Sequence, residues 1–136
     1  MGRRDPLPRE ELVGVQVLVV DNDREACDLL ATILGYCGAL VTTTTSAVSA
    51  LDIVARVVPD LIVCDIVMAD HDGYWLLAAL RGTPATARVP VIAMTGYHEA
   101  HTGERTLTAG FDGYVRKPID PWELARLIGV LTRGRS

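Results

Sequence analysis

Five polar residues stand at the ends of apolar runs. Asp21 and Asn22 follow Val17-Leu18-Val19-Val20, Asp65 follows Leu61-Ile62-Val63-Cys64, Thr95 follows Val91-Ile92-Ala93-Met94, and Lys117 comes soon after Gly113-Tyr114-Val115. Brought together, these residue types have a definite chemistry. Two carboxylates within a few ångströms repel, by roughly 4 kcal/mol for unit charges ~4 Å apart at an effective dielectric near 20. A hard divalent cation relieves that repulsion, and Mg²⁺ takes oxygen ligands while keeping several waters. A lysine adds a fixed positive charge and a threonine hydroxyl adds a donor. Such a set stabilises a phosphoryl group during transfer, and a carboxylate can itself be the nucleophile that forms an aspartyl phosphate.

The elements that position these residues follow from periodicity. After Asp60, Leu61-Ile62-Val63-Cys64 is an apolar run that leads straight into the carboxylate of Asp65, the pattern of a strand buried on both faces. It opens into the Asp-rich loop Asp70-His71-Asp72 and closes at Gly73. The other strands predicted are Val15 to Val20, Leu40 to Thr44, Val91 to Met94 and Gly113 to Val115. Five helices alternate with them. The first is capped by Asp23 and turns Ala26, Leu29, Leu30, Ile33 and Leu34 inward; the second is capped by Ser46 and carries Val48, Leu51, Ile53 and Val54. The third runs from Tyr74 to Arg81 with Trp75, Leu76, Ala79 and Leu80. The fourth, Glu99 to Ala109, is weak, since it contains Gly103 and little large apolar surface. The fifth opens at Pro121 with Leu124, Leu127, Ile128 and Leu131 inward. Strictly alternating strands and helices make an α/β fold, a doubly wound parallel sheet with helices on both faces. Right-handed crossovers then collect every strand's carboxyl end on one edge, where such sheets bind ligands.

The 136 residues suit one domain, with 1–14 read as a tail or linker, 15–132 as the domain and 133–136 as a tail. A net charge of −4 argues against nucleic acid as a direct partner. Cys27, Cys37 and Cys64 form no metal-binding pair and suit buried thiols in a cytoplasmic protein. No apolar run reaches the ~18 residues of a membrane span, so no membrane partner is expected. His71, His98 and His101 lack ligand spacing and are expected to be exposed.

Asp21-Asn22, then Asp65 with Met68-Ala69-x-x-Asp72-Gly73, then Thr95, then Tyr114-x-x-Lys117-Pro118 resemble the receiver domain of two-component response regulators. Each motif alone is weak; their order at successive strand ends is specific. The resemblance spans about residues 15–132 and implies a flavodoxin-like strand order, 2-1-3-4-5. It implies a signalling domain rather than a classical enzyme, whose only chemistry is its own phosphorylation and dephosphorylation. Asp65 would take phosphate from a histidine kinase or a histidine phosphotransfer protein. Asp21, Asn22, Asp65 and the backbone carbonyl of Val67 would hold Mg²⁺. Thr95 and Lys117 would contact the phosphoryl group, Thr95 and Tyr114 would form the switch, Val67 and Tyr97 would tune dephosphorylation, and Pro118 would follow a cis peptide bond. Further partners implied are a downstream protein target and a second copy of the chain, joined through the fourth helix, fifth strand and fifth helix. The lead-in Glu11 to Val15 looks like those of receivers appended to hybrid histidine kinases, and no effector domain follows in this sequence.

Departures from the family pattern are Asn22, where a second acid is usual, Ala69 in place of proline, and Gly96 in place of alanine. Two alternatives compete. One is a receiver-like protein-binding module that is never phosphorylated. The other is a phosphatase resembling the haloacid dehalogenase type, with Asp21 as nucleophile and Asp23 as acid/base; it leaves Asp65 unexplained. Taken singly, Asp23 is a helix cap, Asp70 and Asp72 are loop residues with Asp72 capping, and Cys64 is a core thiol.

Overall fold

A computed structural model describes residues 11–96 and 102–133. The elements alternate as predicted: β1 (Gln16–Val20), α1 (Arg24–Tyr36), β2 (Leu40–Thr44), α2 (Ala47–Arg56), β3 (Leu61–Asp65), α3 (Gly73–Arg81), β4 (Val91–Thr95), α4 (Thr102–Ala109), β5 (Gly113–Arg116) and α5 (Pro121–Thr132). All neighbouring strands run parallel in the order β2-β1-β3-β4-β5. This is the flavodoxin-like order that the resemblance implied. Register sets the site: Val20 pairs with Cys64, Asp65 with Met94 and Thr95 with Arg116. Asp21, Asp65, Thr95 and Lys117 therefore emerge close to one level.

Both faces of the sheet are covered. One core joins Val17, Val19, Leu61, Val63, Ile92 and Met94 to α1 and α5. The other joins Leu18, Val20, Ile62, Cys64, Val91 and Ala93 to α2 and α3. Every residue of β3 and β4 is buried, which is why these strands read as unbroken apolar runs rather than as alternating ones.

Several inward faces differ from those expected. On α1 the buried residues are Cys27, Leu30 and Leu34, and Leu29 is exposed. On α2 they are Ala47, Ala50 and Val54, while Val48 is exposed. The expected Leu30, Leu34 and Val54 do face inward, with Leu51 and Ile53 partly buried against the core; only Leu29 and Val48 turn outward, and the small Cys27, Ala47 and Ala50 are buried in addition. Trp75 is also partly exposed; its ring stacks on that of His71, with centroids 3.7 Å apart, and Leu77 takes the inward place. Within the stretch expected to be a tail or linker, the described residues Glu11 and Leu12 are packed: Leu12 is fully buried, its N–H donates to the Cys37 carbonyl, and Glu11 pairs with Arg133. The fourth helix begins its described part at Thr102; the expected residues 99–101, with Tyr97 and His98, lie outside the described residues.

Helix starts are capped by carboxylates and hydroxyls. Asp23 accepts from the Glu25 N–H, Ser46 from Ser49, Asp72 from Trp75, and Asp120 from Trp122 and Glu123. Asp70 does something a loop residue was not expected to do. Its two oxygens accept the N–H groups of Ala47 and Val48, 3.1 and 3.0 Å away, at the start of α2. With Ser46 it satisfies three of the free donors of that helix. Burial pushes the Asp70 carboxyl up, but the N–H groups of Val48, Ala47 and the loop itself together outweigh it and hold the carboxyl below the ordinary carboxylate range. Asp70→Ala should therefore lower folding stability by about 1 kcal/mol, the usual cost of a lost cap. The folded-state pKa is depressed, so the difference from wild type should be full near neutral pH and vanish as pH falls through that pKa. Urea denaturation at several pH values checks this; coincident curves near pH 7 would contradict it.

Candidate functional site

At the carboxyl edge of the sheet, Asp21 and Thr95 are fully buried and Asp65 is 4% exposed. Lys117, half-buried, reaches in over them. Its Nζ donates to Asp65 Oδ2 at 2.7 Å and to Asp21 Oδ2 at 3.3 Å. The remaining carboxylate oxygens are also engaged: Asp21 Oδ1 accepts the Asp23 N–H, and Asp65 Oδ1 accepts the Val67 N–H. One ammonium thus faces two carboxylates.

Burial raises the Asp65 pKa above the ordinary carboxylate value, and the Lys117 ammonium only partly offsets it. For Lys117, burial acts downward, but the hydrogen bond and charge of Asp65 and the charge of Asp21 outweigh it and raise the pKa. The ammonium is therefore firmly charged, and the residual negative charge sits on the acids. Next to Asp65, the Cys64 thiol is pushed far up, first by burial and then by the charges of Asp65 and Asp21, so it is an inert core thiol.

The loop after β3 is tied down by close packing. Gly73 starts α3 so near the strand end that a Cβ there would lie 2.7 Å from the Asp65 carbonyl oxygen and 3.0 Å from the Ile66 Cα. Its N–H donates to the Ile66 carbonyl. A larger residue would push the loop off the strand. Thr95 is knitted to β5: its hydroxyl donates to the Val115 carbonyl at 3.4 Å, and its own carbonyl accepts the Lys117 N–H at 2.8 Å. The bond between Lys117 and Pro118 is cis. Tyr114 is half-buried, with its ring against α4 at Gly103. Asn22 and Val67 are exposed at the rim.

Asp21 and Asp65 are brought together on the Lys117 ammonium, as their strand-end positions predict. Among the described residues no three His, Cys, Asp or Glu side chains form a metal site by themselves. Two convergent carboxylates with a carboxamide and a backbone carbonyl at the rim are nevertheless all hard oxygen donors. That set suits Mg²⁺, which is ordinarily held by one or two carboxylates and water. Sequence reading passed over Gly73's packing, the long-range role of Asp70, and Cys27, whose Sγ donates to the Asp21 carbonyl at 3.2 Å. Asp23, the acid/base of the phosphatase alternative, caps α1.

Residues 17–129 match the family model described as "Response regulator receiver domain". The chain belongs to this family. This receiver domain is 38% identical over 119 residues to an uncharacterized 14.6 kDa protein of Leptolyngbya boryana, covering 88% of this chain and 91% of that one. It is 34% identical over 118 residues to the response regulator SaeR of Staphylococcus aureus, covering 86% of this chain and 50% of SaeR. Among solved structures it is similar to the receiver domain of Francisella response regulator 1452, with TM-score 0.82 and 27% identity over 90% of this chain and 100% of that one. It is equally similar to the receiver domain of a signal transduction histidine kinase from Syntrophus aciditrophicus, with TM-score 0.82 and 27% identity over 90% of this chain and 95% of that one. It is a receiver domain of two-component signalling, and the family is one of signalling domains. Receiver domains generally depend on Mg²⁺ for phosphorylation. No helix among the described residues is long and apolar enough to cross a membrane.

Two acids around one cation have a stability signature. Lys117→Met leaves Asp21 and Asp65 facing each other uncompensated and should cost on the order of 1–2 kcal/mol, below the range for a fully buried pair because the lysine is partly solvated. Asp65→Asn removes one of two like charges and should be at least as stable as wild type. Because the folded pKa of Asp65 is raised, its ionisation costs stability as pH rises through that value, so the Asn gain should appear on the alkaline side. Urea denaturation in metal-free buffer measures both; a Lys117→Met midpoint equal to wild type's would contradict the compensation.

Proposed function

We propose that Asp65 is the phosphoacceptor of this receiver domain, taking a phosphoryl group from a histidine kinase or histidine phosphotransfer protein. The observation that carries it is the Asp65 carboxylate, buried at the carboxyl end of β3 and held 2.7 Å from Lys117 Nζ beside Asp21. An Asp65 oxygen attacks phosphorus, the new P–O bond forms as the P–N bond to the donor imidazole breaks, and the electron pair leaves with that nitrogen. Bound Mg²⁺ would neutralise charge on the transferring phosphoryl oxygens.

Asp21, Asn22, Asp65 and the Val67 carbonyl would hold the metal, Asn22 contributing a carbonyl oxygen and no charge. Lys117 follows the developing negative charge, moving its hydrogen bond from Asp65 to a phosphoryl oxygen. The Thr95 hydroxyl, released from the Val115 carbonyl, donates to another. That exchange alters the junction of β4 with β5 and, through Tyr114, the face on which a downstream protein target or a second copy of the chain would dock by α4, β5 and α5. Val67 is 60% exposed beside Asp65 and has neither donor nor acceptor on its side chain, so it orients no attacking water. With Tyr97 as the second tuning residue, the phosphorylated state would be long-lived. The folded unit we assign runs over residues 11–133, wider than the 15–132 read from sequence, because Leu12 and the Glu11–Arg133 pair belong to its packing. Three buried thiols fit the reducing cytoplasm as its location.

Incubation with acetyl phosphate and Mg²⁺ tests the assignment. Wild type should gain an acyl phosphate that peptide mapping places on Asp65, Asp65→Asn should gain none, and Val67→Asn should lose the label about tenfold faster than wild type. Labelling at Asp21, or undiminished labelling of Asp65→Asn, would overturn the assignment; a wild-type decay as fast as the Val67→Asn decay would overturn only the lifetime.

A further inference from the structure

A glycine inside a helix is costly, and Gly103 lies in the first turns of α4 with nothing in its backbone conformation that demands glycine. Space demands it. A Cβ at this position would stand 2.6 Å from both Cζ and Oη of Tyr114 and 3.0 Å from Cε2. The hydroxyl end of the tyrosine ring thus rests on the bare backbone of α4. The helix is held to α3 by the Arg105 guanidinium, 4.7 Å from the centroid of the Tyr74 ring, and within it the buried Thr106 hydroxyl donates to the Gly103 carbonyl at 2.8 Å.

We propose that Gly103 is the positioning residue for Tyr114: its missing side chain is the slot that receives the ring, and the separation of α4 from β5 at this point sets where the ring sits. The proposal deepens, and for its link to signalling rests on, the reading of Asp65 as phosphoacceptor. Tyr114 immediately precedes Val115, whose carbonyl takes the Thr95 hydroxyl, so a change of partner at Thr95 acts on the β5 wall that carries the ring. The atoms in the way are the far end of a side chain, so a methyl group at residue 103 displaces the ring rather than unfolding the protein.

A double-mutant cycle tests the slot without phosphorylation. In a Tyr114→Ala background, Gly103→Ala should raise Tm by about 3–5 °C, the ordinary helical gain. In wild type it should raise Tm by much less or lower it, and the NMR signals of the Tyr114 ring should move. Equal gains in the two backgrounds, or an unmoved ring, would overturn the proposal. For the link to signalling, acetyl phosphate with Mg²⁺ should shift the ring signals of wild type and shift them less in Gly103→Ala. If Asp65 labels and the wild-type ring stays put, that link is wrong. If Asp65 does not label, the phosphoacceptor reading has failed, and the cycle in the free protein still decides the slot.

Discussion

One ammonium holding two buried carboxylates is the constraint on which the rest of this structure depends. Asp21 and Asp65 come from adjacent strands and would repel if left alone at this depth. Lys117 answers them from the far edge of the sheet, two strands beyond β3. A buried ion pair is a weak source of stability, since desolvation cancels much of the attraction. Its value here lies in a balance left short by one positive charge. Burial is what raises the pKa of Asp65, whereas the two neighbouring carboxylates, against burial, raise that of Lys117.

Geometry then keeps that buried acid in place. The start of α3 packs against the end of β3 because Gly73 offers no side chain, and Asp72 caps the same helix. Asp70 reaches sideways to α2, so the loop that carries Val67 is tied to two helices at once. This fixing is relevant to Ala69, where a proline would otherwise stiffen the chain. On the other side Thr95 is bonded through both its hydroxyl and its carbonyl to β5. The acid is thus flanked by a secured loop and by a junction at which the Thr95 hydroxyl is bonded to the Val115 carbonyl.

Much of this was legible in the sequence, and the limits have physical causes. Strand ends were readable because β3 and β4 are buried on both faces and so run apolar without interruption until a polar residue ends them. Caps at Asp23, Ser46 and Asp72 were readable because each acts on its own helix, two or three residues away. Asp70 caps a helix more than twenty residues earlier, a relation that no local pattern carries. On α1 and α2 the hydrophobic pattern identifies Leu30, Leu34 and Val54 as inward, but Cys27, Ala47 and Ala50 are buried without being large, so hydrophobic size does not reveal them. Leu12 lay hidden in a polar, proline-bearing stretch. In sequence Gly103 is only a weakness of the fourth helix; the ring that occupies its place, Tyr114, lies on another element, β5.

The claim that Asp21 and Asp65 form an under-neutralised cation site is tested most directly by the dependence of stability on Mg²⁺. A ligand that binds only the folded state stabilises it by RT ln(1 + [L]/Kd), about 2.7 kcal/mol at a hundredfold excess over Kd. Urea midpoints should therefore climb steadily with Mg²⁺ for the wild-type protein, and the climb should be largely abolished in both Asp21→Asn and Asp65→Asn. The same climb in all three proteins, or none in wild type, would contradict the assignment of these two carboxylates as the cation site.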